Sequence, residues 1–146
     1  MEIMKKDLIA VGTGPAGINA GMYGLRSGLE TLVLDTGICG GLSNKMEEVK
    51  KVEFGAEEMT VITEKDIYHT KGEEPVNGLG TQMGIKMDKS GYIITDKSQR
   101  TNLKRVYAAG DITGGVRQIV VACAEGTIAA TSAYDDLLEN NSKGIK

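Results

Sequence analysis

A short glycine pattern near the N-terminus constrains the fold of this 146-residue chain more than any other feature. A continuously apolar run at residues 8–11 leads directly into Gly12-Thr13-Gly14-Pro15-Ala16-Gly17, and apolar residues then recur at helical spacing from Ile18 to Leu29. A second short apolar run ends at Asp35. Unbroken apolar runs are typical of strands buried on both faces of a parallel sheet, and proline suits the first position of a helix. The pattern therefore predicts a βαβ unit within residues 1–44.

The same glycine spacing carries a functional prediction. Directly after a strand, the first glycine permits a tight turn, the second lets the backbone approach a pyrophosphate, and the third lets helix and strand touch. The start of the helix then offers N–H groups and a partial positive charge to phosphates. Asp35 follows Gly12 at about the 20-residue spacing of an acid that binds ribose hydroxyls. A purely structural turn with Asp35 closing a strand is the alternative, but the combination favours dinucleotide binding.

The middle of the chain has a different pattern. Residues 45–72 contain short segments of strand-forming residues joined by polar turns, which predicts a small antiparallel β-meander. Residues 72–91 are rich in glycine and read as a loop with one helical turn near residues 81–83. The overall expectation is a three-layer α/β domain with a parallel sheet and this meander.

Residues 73–139 are expected to complete the domain. Strands are predicted at residues 92–96 and 105–111, and an alanine-rich helix with small residues every three to four positions follows from about residue 118. We expect residues 1–139 to form a single domain and the polar residues 140–146 to be a frayed tail.

Composition excludes several function classes. The net charge is −3 and no long block of Lys and Arg occurs, which argues against nucleic-acid or membrane partners. The two cysteines, Cys39 and Cys123, form no C-x-x-C, and His69 stands alone, so we predict no metal site, disulfide framework or catalytic residue. The short N-terminal apolar run does not match a signal or membrane helix, and we expect a soluble cytoplasmic domain.

Several segments resemble the FAD-binding domain of thioredoxin reductases, in the pyridine nucleotide-disulfide oxidoreductase superfamily. They are Val-Gly-Thr-Gly-Pro-Ala-Gly at 11–17, Cys-Gly-Gly-Leu-Ser at 39–43, Gly-Tyr-Ile-Ile-Thr-Asp at 91–96, Arg-Thr-Asn-Leu-Lys-Arg-Val-Tyr-Ala-Ala-Gly-Asp at 100–111, Gly-Gly-Val-Arg-Gln at 114–118 and Ala-Glu-Gly at 124–126. The resemblance implies a Rossmann-like fold with one FAD bound in an extended conformation.

The resemblance also assigns FAD-binding roles to individual residues. The pyrophosphate would be held by Gly12, Gly14, Pro15, Ala16 and Gly17, the adenosine ribose by Asp35 and the adenine side by Val49. The ribityl–flavin side would be lined by Gly40, Gly41 and Leu42, and Asp111 of the Gly110-Asp111 pair would bind the ribityl chain or a phosphate. The flavin pyrimidine edge would meet Arg117, Gln118 and Ile119. A helix beginning near Gln118 would direct its positive end at that edge, where a reduced flavin is negative.

The sequence departs from that family most clearly in the segment that would bind NADPH. No second Gly-x-Gly-x-x-Gly and no C-x-x-C occur in it, although the family carries both in an inserted NADPH domain. We therefore expect the FAD half of a thioredoxin reductase-like oxidoreductase, and its candidate partners are a separate electron donor or acceptor protein and, in a homodimer, a second copy of the chain. The alternatives are a non-catalytic module that binds FAD or another adenine dinucleotide, and an NAD-binding protein. The late Gly110-Asp111 and Arg117-Gln118 pairs count against NAD.

Overall fold

The computed structural model describes residues 5–35 and 78–143. The elements in these two ranges are strand β1 (Leu8–Val11), helix α1 (Pro15–Arg26), strand β2 (Thr31–Leu34), helix α2 (Gly78–Met83), a 3-10 turn (Asp111–Thr113) and helix α3 (Ile119–Lys143). The predicted meander at 45–72 and the predicted site residues Gly40, Gly41, Leu42 and Val49 lie outside the described residues, as do Cys39 and His69.

The first three elements form the predicted βαβ unit. Strands β1 and β2 pair in parallel, with Leu8 opposite Thr31 and Val11 opposite Leu34. Helix α1 connects them and has Pro15 in its first turn, as expected for a residue without an N–H. The parallel pairing confirms the α/β class of the fold.

Helix α1 ends in a glycine-dependent turn. Gly28 has φ +81°, its N–H donates to the C=O of Leu25, and the N–H of Leu29 donates to the C=O of Gly24. This pair of bonds is a Schellman motif, which satisfies the last carbonyls of the helix and turns the chain. The turn places β2 beside β1.

Helix α3 packs on α1 through small residues. Its buried positions carry alanine, serine or glycine, namely Ala122, Gly126, Ala129, Ala130, Ser132 and Ala133. Gly126 lies so close to α1 that a Cβ there would be 1.9 Å from the backbone oxygen of Ala16. The alanine-rich pattern thus corresponds to a close helix crossing, as the spacing predicts.

The predicted strands at 92–96 and 105–111 are wrong. These segments contribute only isolated antiparallel bridges, Met87 to Ile93 and Arg100 to Tyr107, within the described residues. Aspartate-centred turns flank the first of these segments: Asp88 accepts the N–H groups of residues 90 and 92, and Asp96 accepts those of residues 98 and 100. Such side-chain bonds compete with sheet formation.

Two further predictions concern the helical turn near residues 81–83 and the C-terminal end of α3. The helical turn predicted near residues 81–83 is present as α2. Helix α3 continues to Lys143, so it includes the first part of the tail expected at 140–146. A helix nucleated by a packed stretch extends into polar residues at little cost, since each further residue adds one backbone bond.

Candidate functional site

The glycine loop between β1 and α1 has the conformation that its spacing predicts. Gly12 has φ +123° and donates its N–H to the C=O of Leu34 at 2.8 Å. Gly14 is the residue before α1, and no side chain caps the helix there. The N–H groups of Ala16 and Gly17 have no carbonyl within the helix to bind, because they lie in its first turn. Such a helix start favours an anion.

Asp35 lies at the end of β2 and contacts this loop. Its Oδ2 atom accepts the backbone N–H of Thr13 at 3.0 Å and also the Thr13 hydroxyl. Thr13 is fully buried. The structure therefore places Asp35 next to the glycine loop, as the spacing predicts, and adds a contact with Thr13 that sequence reasoning missed.

The second half of the site is the turn at Gly110. This residue has φ +88° and ψ −160°, a conformation that is essentially restricted to glycine. Both the N–H of Thr113, at 3.0 Å, and the Thr113 hydroxyl, at 2.9 Å, donate to its C=O. Its own N–H donates to Oε2 of Glu125 at 2.7 Å. Both the N–H and the C=O of Gly110 are thus hydrogen-bonded to side chains of other residues.

Asp111 follows in this turn. Burial raises the pKa of its carboxyl, and the positive charge of Arg117 acts in the opposite direction. A half-buried acid of this kind is more easily protonated than an exposed one, and hydroxyl groups can satisfy it by hydrogen bonding.

The start of α3 contains the remaining predicted residues. The C=O of Gln118 accepts the N–H of Ala122 at 3.0 Å, so Gln118 immediately precedes the helix. Arg117, Gln118 and Ile119 are all exposed. Gly114 and Gly115, each with φ +77°, turn the chain towards them. The helix start predicted near Gln118 is confirmed.

Ala16 joins the two halves of the site. A Cβ on Gly110 would lie 3.0 Å from the Cβ of Ala16, and Gly126 of α3 abuts the Ala16 backbone. The glycine loop and the Gly110 turn, which are about 95 residues apart in sequence, therefore adjoin at the start of α1. Helix α3, which carries Gly126, begins at Ile119, roughly 10 Å from Gly126 along the helix axis, and Arg117 and Gln118 directly precede it.

Metal and membrane features are not found in the described residues. No group of three or more His, Cys, Asp or Glu side chains there could hold a metal ion. No helix in the same part of the chain is long and apolar enough to cross a membrane.

The fold and this site define an α/β domain with a parallel sheet and a glycine loop at a helix start. A family model described as pyridine nucleotide-disulphide oxidoreductase matches residues 44–126, which is more than half of the chain. The chain belongs to that family.

Known proteins agree with this assignment and specify it further. A thioredoxin reductase from Peptoclostridium acidaminophilum is 56% identical over 50 residues, or 34% of this chain and 16% of that protein. A thioredoxin reductase from Listeria innocua is 33% identical over 94 residues, or 64% of this chain and 29% of that protein. The chain thus matches less than a third of the length of either relative. It is a thioredoxin reductase-like domain of the family.

The fold also matches a solved structure. The thioredoxin reductase of Lactococcus lactis superposes with a TM-score of 0.72 over 92% of this chain and 100% of the compared chain, at 16% identity. At this identity the match concerns the fold alone, and it agrees with the α/β class.

Proposed function

We propose that this chain binds FAD and forms the flavoprotein domain of a thioredoxin reductase-like oxidoreductase. The observation that carries the proposal is the contact at Ala16, which brings the glycine loop and the Gly110-Asp111 turn into one site. An NAD-binding βαβ unit needs only the first of these segments. FAD extends further, and its flavin half would use the second.

The described residues fit this cofactor. The glycine loop and the uncapped start of α1 suit a pyrophosphate, and Asp35 lies beside them as the ribose ligand. Asp111 and the start of α3 at Arg117, Gln118 and Ile119 would hold the ribityl and flavin side. Gly40, Gly41, Leu42 and Val49 complete the proposed set. Bound FAD supplies a ring system that can take up and release electrons, and the protein supplies binding and orientation.

A second candidate function is binding of FAD without turnover. It is favoured by the sequence, which contains neither a C-x-x-C nor a second Gly-x-Gly-x-x-Gly. In that case the chain would hold the cofactor but exchange electrons no faster than free FAD does.

The first experiment is a titration of the purified full chain with FAD, NAD⁺ and ADP by calorimetry, together with its visible absorbance spectrum. We expect flavin absorbance and tighter binding of FAD than of NAD⁺. An Asp111→Asn variant should weaken FAD about tenfold, because it removes the charge from one hydrogen bond. Asp135→Asn, an exposed site on α3, is the matched control. Tighter binding of NAD⁺ than of FAD would reject the proposal.

A second experiment separates the redox domain from the binding module. NADPH consumption is followed with an artificial electron acceptor, comparing the FAD-loaded chain with free FAD at equal concentration. Turnover above the free-FAD rate supports a redox domain. FAD binding with no excess turnover supports the binding module.

A further inference from the structure

Glu125 of α3 is a charged side chain whose partner belongs to a different element. Its Oε2 atom accepts the N–H of Gly110 at 2.7 Å, and the Thr113 hydroxyl lies 3.3 Å from the same oxygen. The carboxylate thus connects the helix to the turn that carries Asp111. The residue is half-buried, so this bond is shielded in part from water.

The Gly110 turn depends on such a bond. Glycine adopts this conformation readily, but it adopts several others as readily, so contacts from neighbouring groups are needed to select it. Thr113 binds the Gly110 carbonyl from within the turn, whereas Glu125 binds the Gly110 N–H from α3. Glu125 therefore holds the first residue of the turn from α3, while the N–H of Ile93 holds Ile112 from a different segment.

The position of α3 itself has a separate support. Gly126, the next residue, lies against the backbone of Ala16, and this contact uses no side chain of Glu125. Loss of the carboxylate would free the Gly110 N–H, directly before Asp111, while the packing of α3 on α1 stays in place. The glycine loop, which is part of the βαβ unit, would keep its geometry.

We infer that Glu125 is a positioning residue that holds Asp111 in place for the flavin half of bound FAD. This inference rests on the proposed function. It distinguishes the two halves of the cofactor: the adenosine diphosphate half meets the glycine loop and Asp35, and the flavin half meets the turn that Glu125 fixes.

The test measures dissociation constants for FAD, FMN and ADP in the full wild-type chain and in three variants. Glu125→Ala should weaken FAD and FMN about tenfold to a hundredfold, the effect of one charge-assisted hydrogen bond. ADP should change less than about twofold, because the glycine loop is unaltered. Glu125→Gln should recover most of the loss, since its amide oxygen still accepts from Gly110. Asp135→Ala, an exposed acid on α3, should change nothing.

The pattern across ligands decides the outcome. Equal losses for ADP and FAD in Glu125→Ala would mean that Glu125 supports the whole fold, and unchanged FAD binding would mean that it positions nothing; either overturns the inference. If Glu125→Ala does not fold, Glu125→Asp is measured instead, because its shorter side chain keeps the charge but loses the reach to Gly110. Wild-type protein that fails to bind FAD would reject the proposed function itself, and the inference with it.

Discussion

At the residue scale, the carboxylate of Asp35 can serve two neighbours. One oxygen accepts from the backbone and hydroxyl of buried Thr13, and the proposed ribose is a further partner for the group. Fixing the acid to the loop before a ligand arrives lowers the entropy cost of ligand binding. The contact therefore links the shape of the glycine loop to recognition of the ribose.

We predict that Asp35→Ala weakens FAD more than FMN, because only FAD contains the adenosine ribose. The lost charge-assisted bonds are worth about 1.5–3 kcal/mol. The same variant should lower the free energy of unfolding by about 1–3 kcal/mol, since the buried polar groups of Thr13 lose their acceptor. Thr13→Val is the control: it keeps the acid and should affect stability more than ligand choice. Calorimetry measures the two affinities, and urea denaturation measures the free energy of unfolding. Equal losses of affinity for FAD and FMN would show that Asp35 does not bind the ribose.

A second residue cluster connects the 100–107 segment to α3. Arg100 binds Asp136 through two hydrogen bonds of 3.1 and 2.9 Å, and the Tyr107 hydroxyl donates to the same carboxylate at 2.5 Å. The hydrogen bond from Arg100, followed by that from Tyr107, lowers the pKa of the Asp136 carboxyl. Burial and the bond to Asp136 raise the pKa of the Tyr107 hydroxyl. The folded state thus stabilises the charged form of the Asp136 carboxyl.

This cluster predicts an acid-dependent contribution to stability. Because the pKa of Asp136 is lower in the folded chain, its stabilisation is present above the unfolded value near 4 and is lost as pH falls through the folded value. Asp136→Asn should cost about 1 kcal/mol at pH 7, a modest figure because the Arg100 side chain is 36% exposed. The cost should vanish at low pH. Urea denaturation between pH 2 and pH 7 checks this, with Asp135→Asn as the neighbouring control. A cost that is the same at every pH would contradict the assignment.

At the element scale, the sequence predicts some parts better than others for physical reasons. The βαβ unit follows from local signals: two apolar runs, a glycine turn and Pro15 at a helix start. The strand expected near Ile93 does not form because turns centred on Asp88 and Asp96 lie on either side of it. The strand expected near Tyr107 is interrupted because Arg105, like Gln99 before it, has a positive φ, 64° and 60° respectively. Apolar and β-branched content alone does not reveal either cause.

The same reasoning applies to the site. The glycine loop, Asp35 and the start of α3 are visible in the sequence because each depends on a local pattern. Glu125 is not, since its bond to Gly110 spans 15 residues and exists only once α3 packs on α1. An acid directly before the glycine of a close helix crossing is the one signal that could have indicated it.

The α1–α3 crossing gives a prediction for the elements. Gly126→Ala would place a methyl group 1.9 Å from the Ala16 backbone oxygen, and a backbone atom cannot move aside easily. We expect a loss of about 1–3 kcal/mol or more in unfolding free energy, although alanine favours a helix by about 1 kcal/mol. Gly24→Ala is the comparison, because the atoms it would meet, in Leu8 and Thr31, belong to side chains that can rotate. Its loss should be smaller. Urea denaturation ranks the two, and a stabilised Gly126→Ala would contradict the close crossing.

At the scale of the whole molecule, the described core is built mainly from alanine, with Val33 and Ile93 as its larger apolar side chains. Aromatic residues make up 4% of the chain, with a single phenylalanine, and the buried face of α3 is built from alanine, serine and glycine. Around the start of α3, in contrast, Val116, Ile119 and Val120 are 67%, 53% and 74% exposed. Small residues allow backbones to approach but bury little apolar area. The proposed FAD would supply aromatic rings beside these exposed side chains and so contribute to the stability of the domain.

This arrangement predicts a strong dependence of thermal stability on FAD. A ligand present at 100 times its dissociation constant adds about 2.7 kcal/mol, and at 1,000 times about 4.1 kcal/mol. Each kcal/mol shifts the midpoint by roughly 2–8 °C for a domain of this size, so saturating FAD should raise the Tm by about 10 °C or more. ADP at the same multiple of its own dissociation constant is the control, because linkage alone then gives an equal shift. The apolar contacts of the flavin have a separate signature, a more negative heat-capacity change on binding FAD than on binding ADP. Thermal melts of flavin-free protein and calorimetry at several temperatures measure both quantities. Melts that coincide with and without FAD would show that the cofactor contributes nothing to the folded state, and equal heat-capacity changes for FAD and ADP would show that the flavin ring lies against no apolar surface of this chain.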